Sequence, residues 1–319
     1  MIEKVAKEIL NRIRKIQTPF YLKKNQIKLD DFQLKIIEES IRRNFFKGWR
    51  NEKYYTNETF MIDLQAHLTD RLEQDRIKYI PWFDKIIKLK GCNILEIGCG
   101  TGSSTVALAE QGAFVTGIDI DKDALKVAKD RCKIYNVLAN LIHCNANEFY
   151  KDLKDQKFDL IIFFACIEHM TYDERIDCLR NYSGFIEKGA YLCIIDTPNR
   201  LWYFDDHTSL LPFFNWLPDR TAFDYSKFSH RINFKELYHE YSDEKFLHFL
   251  RGGRGFSFHE LEIALNIPAE KFNIVDYLGP SLLLNPLGRE FHKLLLKIHP
   301  GISKGFFFQN INIILGKNN

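Results

Sequence analysis

No apolar run in the 319 residues approaches the ~18–20 that a bilayer-spanning helix needs. The opening segment, MIEKVAKEIL, threads acidic and basic residues through its apolar ones, so the uninterrupted core of a secretory signal is missing too. Both absences point to the cytoplasm. None of the seven cysteines, Cys92, Cys99, Cys132, Cys144, Cys166, Cys178 and Cys193, falls in a Cys-x-x-Cys pair. Several lie in apolar segments, where a thiol packs as a small hydrophobe in a reducing compartment, and no metal ligand is assigned. Strong charge of one sign is lacking as well. The net charge of +3 and pI near 8.3 are too mild to argue for a nucleic-acid partner. One stretch, RRNFFKGWRNEKYY (42–55), interleaves cations with aromatics, but a helix end running into a solvated loop accounts for it. Repeats and low-complexity linkers are also missing. What is present, 45% hydrophobic and 27% charged residues, is the balance of an ordinary globular protein.

Residues 1–88 read as a helical cap. Ile2, Val5, Ile9, Ile13 and Ile16 recur at helical spacing, as do Phe32, Ile36, Ile37 and Ile41, then Met61, Leu64, Leu68 and Leu72. Pro81 suits the first turn of a further helix ended by Gly91. The rhythm then changes to alternating strands and helices. Short apolar runs at 92–98, 113–119, 137–144, 158–165 and 190–196 read as five strands, with helical segments between them. Thr171 and Glu174 form a capping box that opens the helix before the fifth strand. This order predicts an α/β fold, a Rossmann-like, doubly wound and mostly parallel sheet. Two closing strands at 271–279 and 306–316 bring the count to seven, with a helix through Leu287, Phe291, Leu294, Leu295 and Ile298 between them. Residues 201–250 hold fourteen aromatics, about twice the chain's average density, and read as an inserted lid (about 200–256) in a domain of residues 89–319.

The informative segment is Glu96-Ile97-Gly98-Cys99-Gly100-Thr101-Gly102. Its glycines let the backbone turn sharply after a strand and pass close to a ligand, where a Cβ would clash. The next helix would present free N–H groups and its positive dipole end there. Asp119 ends the following strand, where a carboxylate can accept hydrogen bonds from both ribose hydroxyls. A nicotinamide dehydrogenase is the competing reading, but its Gly-x-Gly-x-x-Gly fingerprint fails because Ser103 stands where the third glycine belongs.

On these residues the sequence resembles the class I S-adenosylmethionine-dependent methyltransferases. The first family motif is matched by Glu96, Gly98, Cys99, Gly100 and Gly102, and the second by Asp119, with Ile120 in the position that packs on adenine. Asn145, followed by Ala146 and Asn147, occupies the place of the residue that reaches the adenine amino group, where many relatives carry Asp-Ala. In FDLIIFFACIEHM the resemblance places Phe164, Ala165 and Cys166 beside the methionine part of the cofactor, and Glu168-His169 matches a pair common in the small-molecule branch. The segment 196–218, with DLQAHLTDRLEQDR before the core, looks like a bacterial subgroup of uncertain acceptor associated with surface-polysaccharide and small-molecule biosynthesis. The resemblance implies S-adenosylmethionine as cofactor and methyl transfer to oxygen or nitrogen of a small molecule, a saccharide or related metabolite.

If the acceptor is a hydroxyl, the transfer needs a general base. His169, after the fourth strand, and His207, in Asp205-Asp206-His207-Thr208, are the candidates. The two acids beside His207 would raise its basicity or join it on a cation; solvation of a loop explains the same cluster. Trp202, Tyr203, Trp216 and Tyr225 offer rings for an acceptor pocket, or core for the insertion. Two alternatives stand beside this reading: a nucleic-acid methyltransferase, although the chain lacks Asn-Pro-Pro-Tyr and Pro-Cys after the fourth strand, and a cofactor-binding module without catalysis.

Overall fold

A computed structural model describes residues 26–47, 57–153, 156–279 and 308–317, with single positions between 290 and 298. The helix expected through Ile2–Ile16, residues 48–55 of the basic aromatic stretch and most of the helix expected at 287–298 lie outside the described residues.

Nine strands are described: β1 (Asn93–Ile97), β2 (Phe114–Asp119), β3 (Ala139–His143), β4 (Leu160–Phe164), β5 (Tyr191–Pro198), β6 (Phe204–Asp205), β7 (Leu211–Pro212), β8 (Ile274–Tyr277) and β9 (Asn310–Leu315). Seven form one sheet, as the alternating pattern and the two closing strands predict, and its order is β3-β2-β1-β4-β5-β9-β8. Strand pairing is parallel for β2 with β3, β1 with β4 and β4 with β5, and antiparallel where β9 joins β5 and β8. The central strands are buried runs of Ile, Leu and Phe, the composition that parallel strands covered on both faces require. The short β6–β7 ribbon stands apart as a second sheet.

The chain forms two compact units, Met1–Asn93 with Cys99–His143, and Ile94–Gly98 with Cys144–Asn319. In the first, α1 (Asp31–Ser40) opens with a reciprocal cap between Asp30 and Gln33, satisfying two orphan backbone donors. Residues 57–84 run as one helical path broken by two wide turns, Ala66–Asp70 and Asp75–Tyr79. Pro81 stands in the first turn of the helix Ile80–Asp84, as its position in sequence suggests. It follows a wide turn, where the hydrogen bond that proline cannot donate is already out of step. That path ends at Asp84, earlier than the spacing to Gly91 implies.

Two further helices of this unit, α2 (Ser103–Ala109) and α3 (Lys122–Ile134), follow β1 and β2; Asp121 caps α3 through the N–H groups of Asp123 and Ala124. Arg131 on α3 is fully buried and donates to the carbonyls of Thr101 (2.9 Å), Leu68 (3.1 Å) and His67 (2.5 Å). Burial pushes its guanidinium down to about 10, and the three carbonyls take up the hydrogen bonds that water would otherwise supply. The turn at Thr101 is thus anchored from two sides.

In the second unit, α4 (Tyr172–Glu187) opens with the Thr171/Glu174 capping box read from the sequence. The aromatic-rich stretch makes a core of its own. Phe214, Phe223, Phe234, Tyr238 and Phe249 meet largely edge to face, with α5 (Asp243–Arg251) contributing the last. A fully buried Phe contributes roughly 1.5–3 kcal/mol, so most of these rings serve the insertion's own stability. Tyr203, Phe213 and Trp216 remain exposed. The last described helix, α6 (Phe258–Leu265), is opened by the Ser257/Glu260 box.

Candidate functional site

Gly98, Gly100 and Gly102 all have left-handed backbone, with φ of +77°, +51° and +80°. A Cβ on Gly102 would press within 2.9 Å of Ala128, whereas a Cβ on Gly100 would meet nothing within 4 Å. The bend is therefore packed on one side and open over Gly100, as a backbone approached by a ligand must be. Asp119 locks this shape: its Oδ2 accepts from the Gly100 N–H and its Oδ1 from the Asp121 N–H, each at 2.7 Å. Ile120, the next residue, projects its side chain to solvent. Cys99 takes another role. Its thiol packs on Gly117 and its backbone N–H and carbonyl pair with Ile118 and Gly102, so side chain and backbone both serve the turn.

Glu96 is fully buried on β1, in register with Ile162 of β4. Asn145 caps the helix Ala146–Phe149 by accepting from the Asn147 N–H at 2.9 Å. Asn147 donates to the Glu174 carbonyl at 3.1 Å, and Ala146 accepts from the Tyr182 hydroxyl at 2.8 Å. Phe164 and Ala165 end β4 half-buried. Ala165 and Asp196, at the carboxyl ends of neighbouring β4 and β5, both take left-handed backbone, with φ of +45° and +54°. Non-glycine residues there cost about 1–3 kcal/mol each and cluster at ligand sites.

Beyond these strands the second unit gathers Glu168, His169 and His207. The His169 and His207 rings lie 5.7 Å apart, and their Nε2 atoms stand 4.0 and 3.8 Å from Glu168 Oε1. Each ring is fixed from behind. His169 Nδ1 lies 2.9 Å from the Arg251 carbonyl, which can only accept, so Nδ1 carries the proton. Thr208 Oγ1 donates to the Gly253 carbonyl at 2.9 Å, leaving its oxygen to accept from His207 Nδ1 at 2.9 Å. In their neutral forms both imidazoles then turn an Nε2 lone pair toward Glu168. Only glycine fits at 253: its φ is +117°, and a Cβ would sit 2.6 Å from Thr208 Oγ1 and 3.1 Å from His207 Nδ1.

Glu168 has no solvent exposure. Desolvation pushes its carboxyl up to about 8, the Asp196 charge adds to this, and its own backbone N–H, Arg175 and the Thr197 hydroxyl oppose it. Its backbone is held firmly, since its carbonyl accepts from the Arg254 N–H at 2.9 Å and from the buried Arg175 guanidinium. Arg175 in turn pairs with Glu260 at 3.0 Å. The acids beside His207 look elsewhere: Asp205 accepts from Thr208 and Ser209, and Asp206 accepts from Gln309. The sequence reading therefore placed the two histidines but not the carboxylate between them. Its signal was the Glu168-His169 pair, and nothing in the spacing tied that pair to residue 207.

Among the described residues, three buried side-chain atoms lack a hydrogen-bond partner: Ser103 Oγ in the first unit, and Asn147 Oδ1 and Glu168 Oε1 in the second. All three belong to or adjoin the motifs above, and buried polar atoms left unpaired mark places where a ligand or ion is to be sought. Residues 94–189 match the family described as a methyltransferase domain. By that match residues 94–189 resemble methyltransferase domains. A ubiquinone biosynthesis O-methyltransferase of Coxiella burnetii (strain Dugway 5J108-111) is 33% identical over 157 residues, 49% of this chain and 63% of that protein. The chain thus spans less than two thirds of that relative's length. A putative protein N5-glutamine methyltransferase of Methanocaldococcus jannaschii is 35% identical over 102 residues, 31% of this chain and 48% of that protein. The crystal structure of a magnesium protoporphyrin IX methyltransferase from Synechocystis PCC 6803 with bound SAM compares at a TM-score of 0.46 and 14% identity, covering 92% of this chain and all of that one. Among the described residues, no helix of the methyltransferase domain or its flanks is long and apolar enough to cross a membrane.

Proposed function

We propose that the chain transfers a methyl group from S-adenosylmethionine to an oxygen or nitrogen of a small molecule. The observation that carries this reading is the glycine bend tied to Asp119 through the Gly100 N–H, with open space over Gly100. When bound, the cofactor supplies a sulfonium methyl group ready for in-line displacement. Asp119 would hold the ribose hydroxyls and Ile120 cover the adenine. Asn145, Ala146 and Asn147 would meet the base, with Glu96, Gly98, Cys99, Gly102, Phe164 and Ala165 completing the cofactor's surroundings. The fit rests on the unpartnered Ser103 Oγ and Asn147 Oδ1, polar atoms that gain partners when a polar ligand is present.

His169 and His207 would face the acceptor. Their Nε2 lone pairs are placed to take a proton from an acceptor hydroxyl, a contribution of typically ~10²–10⁴-fold. Within the small-molecule class, the exposed Tyr203, Phe213 and Trp216 favour a saccharide or related metabolite, whose rings stack on aromatic faces. The cytoplasm is the compartment that suits seven free thiols. Metabolite mass spectrometry on a cell extract, with chain and cofactor added, tests the reading. A compound gaining the mass of one CH₂, with stoichiometric release of S-adenosylhomocysteine, is expected. Cofactor binding without turnover on any extract fraction would favour a non-catalytic binding module instead, and turnover confined to the RNA fraction would favour a nucleic-acid substrate.

A further inference from the structure

We propose that Glu168 Oε1, His169 Nε2 and His207 Nε2 bind one divalent first-row transition ion, leaving its remaining positions open to the acceptor. The three donor atoms all lie within 4.8 Å of one another. Nitrogen and carboxylate donors at ~2.0–2.2 Å from an ion stand roughly 3–3.6 Å from each other. The 3.8 and 4.0 Å separations to Glu168 Oε1 need only a few tenths of an ångström of adjustment to reach that range.

Polarity gives an independent argument. Glu168 Oε1 is buried without a hydrogen-bond partner. Each imidazole donates through Nδ1, so in their neutral forms both present an Nε2 acceptor to that oxygen. The separations also exceed the ~3.2 Å limit of an ordinary N–H···O bond, so a protonated imidazole in this geometry would not satisfy the oxygen. A cation would.

The outer partners have the arrangement that metal-binding histidines need. Arg251 holds His169 and Thr208 holds His207, each by the nitrogen remote from Glu168. The Thr197 hydroxyl lies 3.3 Å from the other Glu168 oxygen. Two imidazoles and one carboxylate suit zinc, cobalt, manganese or iron(II), whereas magnesium and calcium favour sets made wholly of oxygen. The ion can be reached from solvent, since the His169 and His207 side chains are 44% and 34% exposed.

The role of the ion rests on the methyl-transfer reading. It changes the two imidazoles from proton acceptors into ligands. An acceptor hydroxyl bound to the ion would lose its proton to solvent water more readily. Its oxygen would then form the bond to the methyl carbon as the carbon–sulfur bond breaks, the electron pair passing to sulfur.

The test is a titration of the chelator-stripped full chain with Co²⁺ alone, followed by visible absorption and equilibrium dialysis. One Co²⁺ per chain is expected. Glu168→Gln, His169→Ala and His207→Ala should each weaken binding at least about tenfold with unchanged circular dichroism. Thr208→Val should weaken it ~10–100-fold, the usual effect of losing an outer partner. His169 is partly exposed, so its variant guards against loss of fold as the explanation. Absence of saturable binding, wild-type affinity in the three ligand variants, or a near-ultraviolet thiolate band placing the ion on cysteine would overturn the proposal. Release of S-adenosylhomocysteine is read on the same samples. Release that ignores the chelator, without Co²⁺ binding, sinks the ion site and spares the methyl-transfer reading. Stoichiometric Co²⁺ binding without release on any extract fraction does the reverse.

Discussion

A single carboxylate, Asp119, joins the glycine bend to the end of β2, and its two oxygens are set by two backbone N–H groups. Hydrogen bonds to a charged group contribute about 1.5–3 kcal/mol, so Asp119→Asn should lower S-adenosylmethionine affinity roughly 10–100-fold. Isothermal titration checks this, and unchanged affinity would remove Asp119 from the cofactor's contacts. His207→Ala should reduce turnover by about 10²-fold or more on a hydroxyl acceptor while cofactor affinity holds; steady-state rates beside the binding isotherm separate the two. Gly98, Gly100, Gly102 and Asp119 were legible because backbone geometry restricts which residues can stand there. Glu168 was half legible: its neighbour marked a motif, but its burial and its meeting with His207 depend on tertiary structure. Thr208, Gly253 and Arg131 carried no signal, since a buried anchor resembles any other threonine, glycine or arginine until its partners are known.

The capping box at Thr171/Glu174 stands where the sequence places it, because it is local chemistry within four residues. Wide helical turns are harder to read, as a five-residue turn shifts an apolar stripe too little to stand out in residues 57–84. Pro81, by contrast, marks the first turn of the helix Ile80–Asp84 in sequence and structure alike. The aromatic insertion was legible as a unit, though its rings divide into core and surface only in three dimensions. The ion pair linking α4 to α6 is the element-scale test. Glu260→Ala leaves the buried Arg175 without its carboxylate and removes the Ser257 cap. Breaking a buried pair costs about 3–5 kcal/mol, and urea denaturation should show an unfolding free energy lower by that amount, seen as a lower midpoint with an unchanged m-value. Gly253→Ala should act on turnover instead, because the added methyl displaces Thr208 and with it His207. A kcat drop at constant cofactor affinity is expected, and a wild-type kcat would refute the positioning argument.

At the scale of the whole chain, the seven strands and their mostly parallel, doubly wound character followed from alternation, whereas the strand order and the two-unit arrangement did not. Alternating patterns report which segments are strands, not which loops pack with which helices. The chain passes from one unit to the other at 93/94, 98/99 and 143/144. β1 therefore belongs by its pairing to β4, 63 residues away from Ile97 at its start, while its flanking segments belong elsewhere. No single cut releases either unit whole. A fragment of residues 144–319 would expose the edge of β4 that β1 covers, an open apolar strand of the kind that self-associates. Such a fragment should aggregate in light scattering under conditions where the intact chain does not. Adding a separate peptide of residues 90–100 should restore solubility if that edge is the cause. Engineering by domain swap or terminal fusion must therefore treat 93–144 as indivisible, and reporter insertions belong in the outer loops rather than at any of the three crossings.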